Sequence, residues 1–149
     1  MRLYLDLCVY NRPFDYQGQE RVAFETEAFI FLLEYIEKGR HTLLNSDALV
    51  YENRLNPDSQ RRDRISTYLG LAKEFISAED IDFERAKVLR GMGFSDLDAL
   101  HIAFSEKGQV DFFITCDDRI LSLFKKNSQS INVKIISLLE FISKGGEMR

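Results

Sequence analysis

The chain has 149 residues, of which 45% are hydrophobic and 30% charged, a composition typical of an ordinary globular protein. Its formal net charge of −4 at pH 7 argues against a protein that binds nucleic acid through a broadly basic surface, but it does not exclude an enzyme with an acidic site. The longest apolar run, AFIFLL, is far shorter than the ~20 residues of a membrane helix, and the N-terminus lacks a signal-peptide pattern, so we expect one cytoplasmic domain over residues 1–149.

The first half of the chain alternates strand and helix patterns. Residues 2–6 alternate in hydrophobicity and continue into LCVY, which predicts a buried strand running into a loop at 11–14. A second short strand is predicted at 42–44. Helices are predicted over residues 19–38, 47–52 and 57–75. Ser46 is placed to cap the second of these helices, and Asn56 followed by Pro57 is typical of the start of the third.

The second half repeats this alternation. Strands are predicted over residues 110–115 and 133–136. Helices are predicted over residues 79–89, 95–107 and 117–126, and from 137 onward. Ser95 followed three residues later by Asp98 matches a capping box. Strands alternating with helices predict right-handed βαβ units and a parallel sheet that is covered by helices on both faces.

Acidic residues recur where predicted strands end or neighbouring helices begin. They are Asp6, Glu52, Asp96, Asp98, Asp117 and Asp118. Ligands of open α/β sheets bind outside the carboxyl ends of the strands, so acids from four separate segments can meet there.

Each acid taken singly also has an ordinary structural interpretation. Asp117 could be a helix N-cap, Asp98 a capping-box acid, and Glu52 part of a solvated helix face. Asp6 is harder to explain in this way, because an acid flanked by apolar residues is desolvated at a cost unless it is paired or binds a metal. Carboxylates that cluster repel one another unless a cation compensates, and hard oxygen ligands favour Mg²⁺ or Mn²⁺.

Four segments resemble the PIN-domain nucleases, a family that includes the VapC-like toxins. The segments are LYLDLCVYN, SDALVYEN, FSDLDALHIAF and FFITCDDRIL. By residue type and order, the acids that match the family's acidic quartet are Asp6, Glu52, Asp98 and Asp117. Thr115 matches the hydroxyl residue that commonly precedes the last acid by two positions.

The resemblance implies a fold, an activity and partners. The fold is a PIN-like three-layer α/β/α sandwich in residues 1–149, with a central, mostly parallel sheet of four or five strands. The activity is that of a metal-dependent endoribonuclease, the toxin of a type II toxin–antitoxin pair, which hydrolyses RNA phosphodiester bonds with Mg²⁺ or Mn²⁺. The expected partners are the RNA substrate, an antitoxin protein and a second copy of the chain.

The same resemblance implies roles for individual residues. Asp6, Asp98 and Asp117 are expected to bind the metal directly, and Glu52 to complete the shell or to bind through water. The accessory candidates are Asn11, Arg12, Asp96, Thr115 and Asp118.

Other side chains near these motifs allow two interpretations. His101 lies three residues after Asp98 on the same helical face, and a packed or hydrogen-bonded histidine is favoured over a metal ligand. Arg12 follows Asp6 closely and is a candidate contact for RNA phosphate. The phenylalanines of residues 19–38 exceed what one buried stripe needs, which favours a dimer or partner surface.

Three alternative functions follow from the acidic strand ends. A non-catalytic PIN-like module that binds RNA or protein is one, although the complete quartet argues against it. A phosphotransfer receiver-like domain needs a second acid beside Asp6 and a lysine that ends the last strand, whereas Lys134 lies inside that strand. A haloacid-dehalogenase phosphatase needs an acid two residues after Asp6, where the chain has Cys8.

Overall fold

The computed structural model describes residues 1–145, in which five strands form one sheet of the order β3-β2-β1-β4-β5. The strands are β1 (Arg2–Leu5), β2 (Thr42–Ser46), β3 (Glu74–Ile76), β4 (Phe112–Thr115) and β5 (Ile135–Ser137). All four neighbouring pairs are parallel. The carboxyl ends of β1, β2 and β4 therefore lie side by side. Residues 146–149 of the predicted domain lie outside the described residues.

Helices pack against both faces of this sheet. They are α1 (Leu7–Asn11), α2 (Glu20–Glu37), α3 (Asp47–Arg54), α4 (Ser59–Leu69), α5 (Asp80–Arg90), α6 (Asp96–Lys107), α7 (Asp118–Asn127) and α8 (Leu138–Gly145). Helix α2 packs against α8, while α3 and α5 pack against α6. The predicted α/β class with a parallel central sheet is confirmed. Every helix within residues 1–145 is too short or too polar to cross a lipid bilayer.

The central strands are buried on both faces. Leu3, Leu5, Leu43, Phe113 and Ile114 are all fully buried. Continuous apolar strands of this kind are typical of parallel sheets covered by helices on each side. The core therefore surrounds β1, and any polar group at the end of β1 is held in largely apolar surroundings.

The prediction that the first strand extends through LCVY is wrong. Strand β1 ends at Leu5, and residues Leu7–Asn11 form helix α1. Asp6 stands between the two with an extended backbone (φ −62°, ψ 151°) at the N-cap position of α1. Four apolar residues are too few to distinguish a buried strand from a buried helix, so the hydrophobic periodicity of the sequence does not predict this turn.

The predicted helix over residues 57–75 is also corrected. Asp58, not Asn56, is the N-cap of α4, because its carboxylate accepts the backbone N–H groups of Gln60 and Arg61. The helix ends at Leu69, and the edge strand β3 follows. Two of the three β3 residues are exposed, so this strand lacks the buried apolar pattern by which strands are recognised.

Ion pairs anchor the loop after α1 to neighbouring helices. Arg12 Nε donates to Glu25 on α2 at 2.7 Å, and Arg12 Nη1 donates to Asp15 at 2.8 Å. Arg61 on α4 also donates to Asp15, at 3.1 Å. The Glu25 side chain is only 2% exposed and also accepts a bond from Arg21 Nε at 3.2 Å. Arg12, the candidate phosphate contact, is therefore already paired with two acids.

We predict that Glu25→Gln lowers the free energy of unfolding by about 1.5–3 kcal/mol, the usual range for a buried hydrogen bond to a charged group. Asp118→Asn is the matched control, since Asp118 also pairs with Arg21 but is exposed, and exposed pairs contribute little. Urea unfolding of both variants measures the difference. Equal losses in the two variants would contradict a special role for the buried acid.

Candidate metal centre

Three side chains from separate elements meet at the carboxyl end of β1. Asp6, Glu52 and His101 each present a ligand atom, and these atoms all lie within 4.8 Å of one another. Asp6 and His101 are buried, and Glu52 is half-buried. Two carboxylates and one imidazole at this spacing form a group that could hold a metal ion.

The sheet order explains why these residues meet. Asp6 directly follows the central strand β1, Glu52 lies on the helix that follows the neighbouring strand β2, and His101 lies on the helix that precedes β4. The register sets Leu5 beside Ile114, and the Asp6 backbone N–H donates to the Ile114 carbonyl at 2.9 Å. Residues distant in sequence therefore reach one edge of the sheet.

Hydrogen bonds orient the Asp6 carboxylate. Thr115 Oγ1 donates to Asp6 Oδ2 at 2.7 Å, and the Cys8 thiol donates to the same oxygen at 3.3 Å. Burial raises the pKa of Asp6 above its ordinary value, and the charge of Glu52 raises it further, although His101 and the bond from Thr115 oppose this rise. A negative charge on Asp6 is therefore only partly compensated by its surroundings.

The charges of other acids affect the pKa of Asp98. Ser95 Oγ accepts the Asp98 backbone N–H at 3.2 Å, but within residues 1–145 the reciprocal bond of a capping box, from Ser95 N–H to the Asp98 carboxylate, does not form. Burial, together with the negative charges of Asp6 and Asp117, raises the pKa of Asp98 to about 6. The charges of Asp6 and Asp117 thus act on Asp98, but among the described residues the ligand atoms that meet within 4.8 Å are those of Asp6, Glu52 and His101, without Asp98 or Asp117.

Asp117 caps a helix and also adjoins this group. Its Oδ1 accepts the Arg119 backbone N–H at 2.8 Å, as expected for the N-cap of α7. Its own backbone N–H donates to Thr115 Oγ1 at 3.0 Å. Because the Thr115 hydroxyl also donates to Asp6, one side chain links the first and last acids of the predicted quartet.

The remaining accessory candidates bond to arginines or acids instead. Asp96 pairs with Arg90 at 3.1 Å and Asp118 with Arg21 at 2.7 Å, and both acids are exposed. Asn11 Oδ1 accepts a bond from Arg61 at 3.5 Å. These contacts bind the surrounding loops together.

His101 is more closely engaged with the acids than the sequence indicates. Its Nε2 lies 2.7 Å from Glu52 Oε1, and its Nδ1 lies 2.6 Å from the Tyr4 hydroxyl. Burial lowers the pKa of His101, but the bond to Glu52 and the charges of Asp6, Glu52 and Asp98 outweigh burial and raise it overall. One weak indication of Tyr4 is its position two residues before Asp6, because alternate residues of an extended segment point to the same side.

Comparison with known proteins shows a remote similarity in fold. No protein-family model matches the chain, and no curated protein matches it at a significant level. A chain from the crystal structure of VapBC2 from Rickettsia felis, bound to a DNA fragment from their promoter, matches with a TM-score of 0.60. The match covers 92% of this chain and 98% of that chain at 16% sequence identity. The two chains therefore share the same overall fold.

We predict that Asp98→Asn raises the free energy of unfolding of the metal-free protein. This stabilisation should increase between about pH 4 and about pH 7. The pKa of Asp98 is raised in the folded state, so the folded protein holds this proton more tightly than the unfolded chain. The contribution of the protonated Asp98 carboxyl to the free energy of unfolding is therefore present at low pH and is lost as the pH rises through about 6. Thermal melts in EDTA at several pH values measure it.

Asp63→Asn, at an exposed acid on α4, is the matched control for loss of one negative charge. If Asp98 served only as a helix-cap acid, its replacement would destabilise the protein at neutral pH. That result would contradict the crowding of carboxylates.

Proposed function

We propose that the chain is a metal-dependent endoribonuclease that hydrolyses RNA phosphodiester bonds, with residues 1–149 forming a single PIN-like domain. The observation that carries the proposal is the meeting of Asp6, Glu52 and His101 ligand atoms within 4.8 Å. Burial together with the charges of Asp6 and Asp117 raises the pKa of Asp98, and the charge of Glu52 raises that of buried Asp6, which supports a site that includes these four acids.

The chemistry of the donor set fits Mg²⁺ or Mn²⁺. Carboxylate oxygens dominate it, and hard divalent cations prefer oxygen ligands. The nearest thiol, that of Cys8, donates to Asp6, and its contact with Cys116, burial and the charge of Asp6 raise the pKa of Cys8 well above its ordinary value. The Cys8 thiol thus supports the Asp6 carboxylate by a hydrogen bond, and the carboxylates remain the ligands expected for a hard cation.

In this proposal Asp6, Asp98 and Asp117 hold the ion, and Glu52 completes the shell. A bound Mg²⁺ or Mn²⁺ supplies Lewis-acid stabilisation of phosphate charge and lowers the pKa of water. Thr115 keeps the Asp6 carboxylate in one orientation, because its hydroxyl donates to Asp6 Oδ2. The same hydroxyl accepts the Asp117 N–H, so the loop that carries Asp117 is held at a fixed distance from β1.

The biological role that we propose is that of the toxin in a type II toxin–antitoxin pair. The VapBC2 chain from Rickettsia felis, which has the same fold, supports this role and an antitoxin partner. Exposed aromatic side chains on α2, Phe24 and Phe31, support a further contact with a second copy or with the antitoxin.

We predict Mg²⁺- or Mn²⁺-dependent cleavage of RNA that EDTA abolishes. Asp6→Asn and Asp117→Asn should each lower the cleavage rate by about 100-fold or more, the loss expected when one charge-stabilising group leaves an active site. Gel analysis of end-labelled structured and unstructured RNAs measures the rate, with Asp63→Asn as the control that keeps full activity. Circular dichroism establishes that each variant is folded.

Cleavage by both quartet variants at the wild-type rate would contradict the proposed site. Induced expression of the wild type, but not of Asp6→Asn, should arrest growth of a bacterial host. RNA cleavage without growth arrest would support the proposed nuclease activity and contradict the proposed toxin role.

A further inference from the structure

A chain of buried hydrogen bonds runs from the N-terminus of α3 to the acidic site. Ser46 Oγ accepts the Leu49 backbone N–H at 3.2 Å and lies 2.6 Å from the Tyr4 hydroxyl. The Tyr4 hydroxyl lies 2.6 Å from His101 Nδ1, and His101 Nε2 lies 2.7 Å from Glu52 Oε1. Ser46, Tyr4 and His101 are completely buried.

We propose that Tyr4 and His101 are positioning residues, which hold the Glu52 carboxylate toward Asp6 and so complete the metal site. The inference rests on the proposed function for the identity of the bound ion. It adds a role for two residues outside the acidic quartet, and it assigns His101 to the support of a ligand and not to the ligands themselves.

We assign the directions of these hydrogen bonds from the donors and acceptors that each group offers. Ser46 already accepts a backbone N–H, so its own hydroxyl proton is free to go to Tyr4. The Tyr4 proton then goes to His101 Nδ1, and His101 Nε2–H donates to the Glu52 carboxylate. This is the arrangement in which every donor of the chain has an acceptor. A protonated ring would likewise place a proton on Nε2.

A ring nitrogen that carries a proton has no lone pair for a cation. Nε2 faces the acids, so with its proton in place His101 can donate to a ligand but cannot itself bind the ion. Metal-ligating carboxylates are commonly held by such hydrogen bonds, and loss of one typically weakens metal affinity. The proton assigned to Nε2 thus favours the carboxylates of Asp6 and Glu52 as the ligands of this group.

Packing holds the Tyr4 and His101 side chains in place, whereas the Glu52 side chain is less enclosed. The Tyr4 ring meets the Phe113 ring edge to face, with centroids 5.6 Å apart, and the His101 ring packs against both. Glu52 is half-buried on a short helix, and its long side chain loses rotational freedom when it is fixed. A bond from an immobile buried ring selects one orientation of this side chain before the ion arrives.

The test compares His101→Leu, His101→Gln and Tyr4→Phe with the wild type, with Mn²⁺ alone as the titrant in calorimetry. His101→Leu should weaken Mn²⁺ affinity by about 10–100-fold, because Glu52 loses its donor. His101→Gln should restore most of the affinity, because its amide can place an N–H near the position of Nε2. Tyr4→Phe keeps the ring packing and should weaken affinity less than His101→Leu. Thermal melts establish that each variant is folded.

Nitrogen-15 NMR of the histidine ring gives a second readout on the unaltered protein. Nε2 of His101 should carry a proton in EDTA and keep it when Mg²⁺ is added. Loss of the Nε2 proton on adding Mg²⁺ would make His101 a ligand and overturn the proposal, even if the variants failed to fold. Unchanged Mn²⁺ affinity in His101→Leu would also overturn it.

These outcomes separate the inference from the proposed function. Metal binding that depends on His101 in a protein that cleaves no RNA would overturn the nuclease proposal alone. RNA cleavage and metal binding that are indifferent to His101→Leu would overturn the positioning role alone.

Discussion

One unfavourable interaction constrains the candidate site, namely the repulsion between the carboxylates that the sheet order brings to the end of β1. Asp6 is buried there, and its charge raises the pKa of Asp98, while the charge of Glu52 raises that of Asp6. Hydrogen bonds from Thr115 and from His101 offset part of this repulsion. A folded protein retains such an arrangement when something else compensates the charge, and a divalent cation has the right charge and ligand preference.

Support for the acids comes from two different parts of the fold. Buried hydrogen-bonded groups, from Ser46 through Tyr4 to His101, reach Glu52 from inside the core. Ion pairs hold the surrounding loops from outside: Arg21 donates to both the Cys116 carbonyl and Asp118, next to Asp117. The acids are thus held by His101 and the buried groups behind it on one side, and by ion pairs of the surrounding loops on the other.

Much of this organisation follows from the sequence. Long periodic segments such as residues 20–37 indicate their helices, and an acid within an apolar strand, as at Asp6, indicates a special environment. The turn from β1 into α1 cannot be predicted from the sequence, because four apolar residues fit a strand or a helix equally well. The sequence favours a hydrogen-bonded His101, as observed, but it does not indicate the partner Tyr4, which lies 97 residues earlier and is brought to His101 only by the folded sheet.

A crystal structure of the protein soaked in Mn²⁺, with the anomalous signal of the ion recorded, tests the central claim most directly. The account predicts anomalous density bonded to Asp6 and to at least one further acid of the quartet, with His101 Nε2 still directed at Glu52. Density confined to other surface acids, or no density at a concentration that supports RNA cleavage, would contradict the claim that these carboxylates form one metal centre.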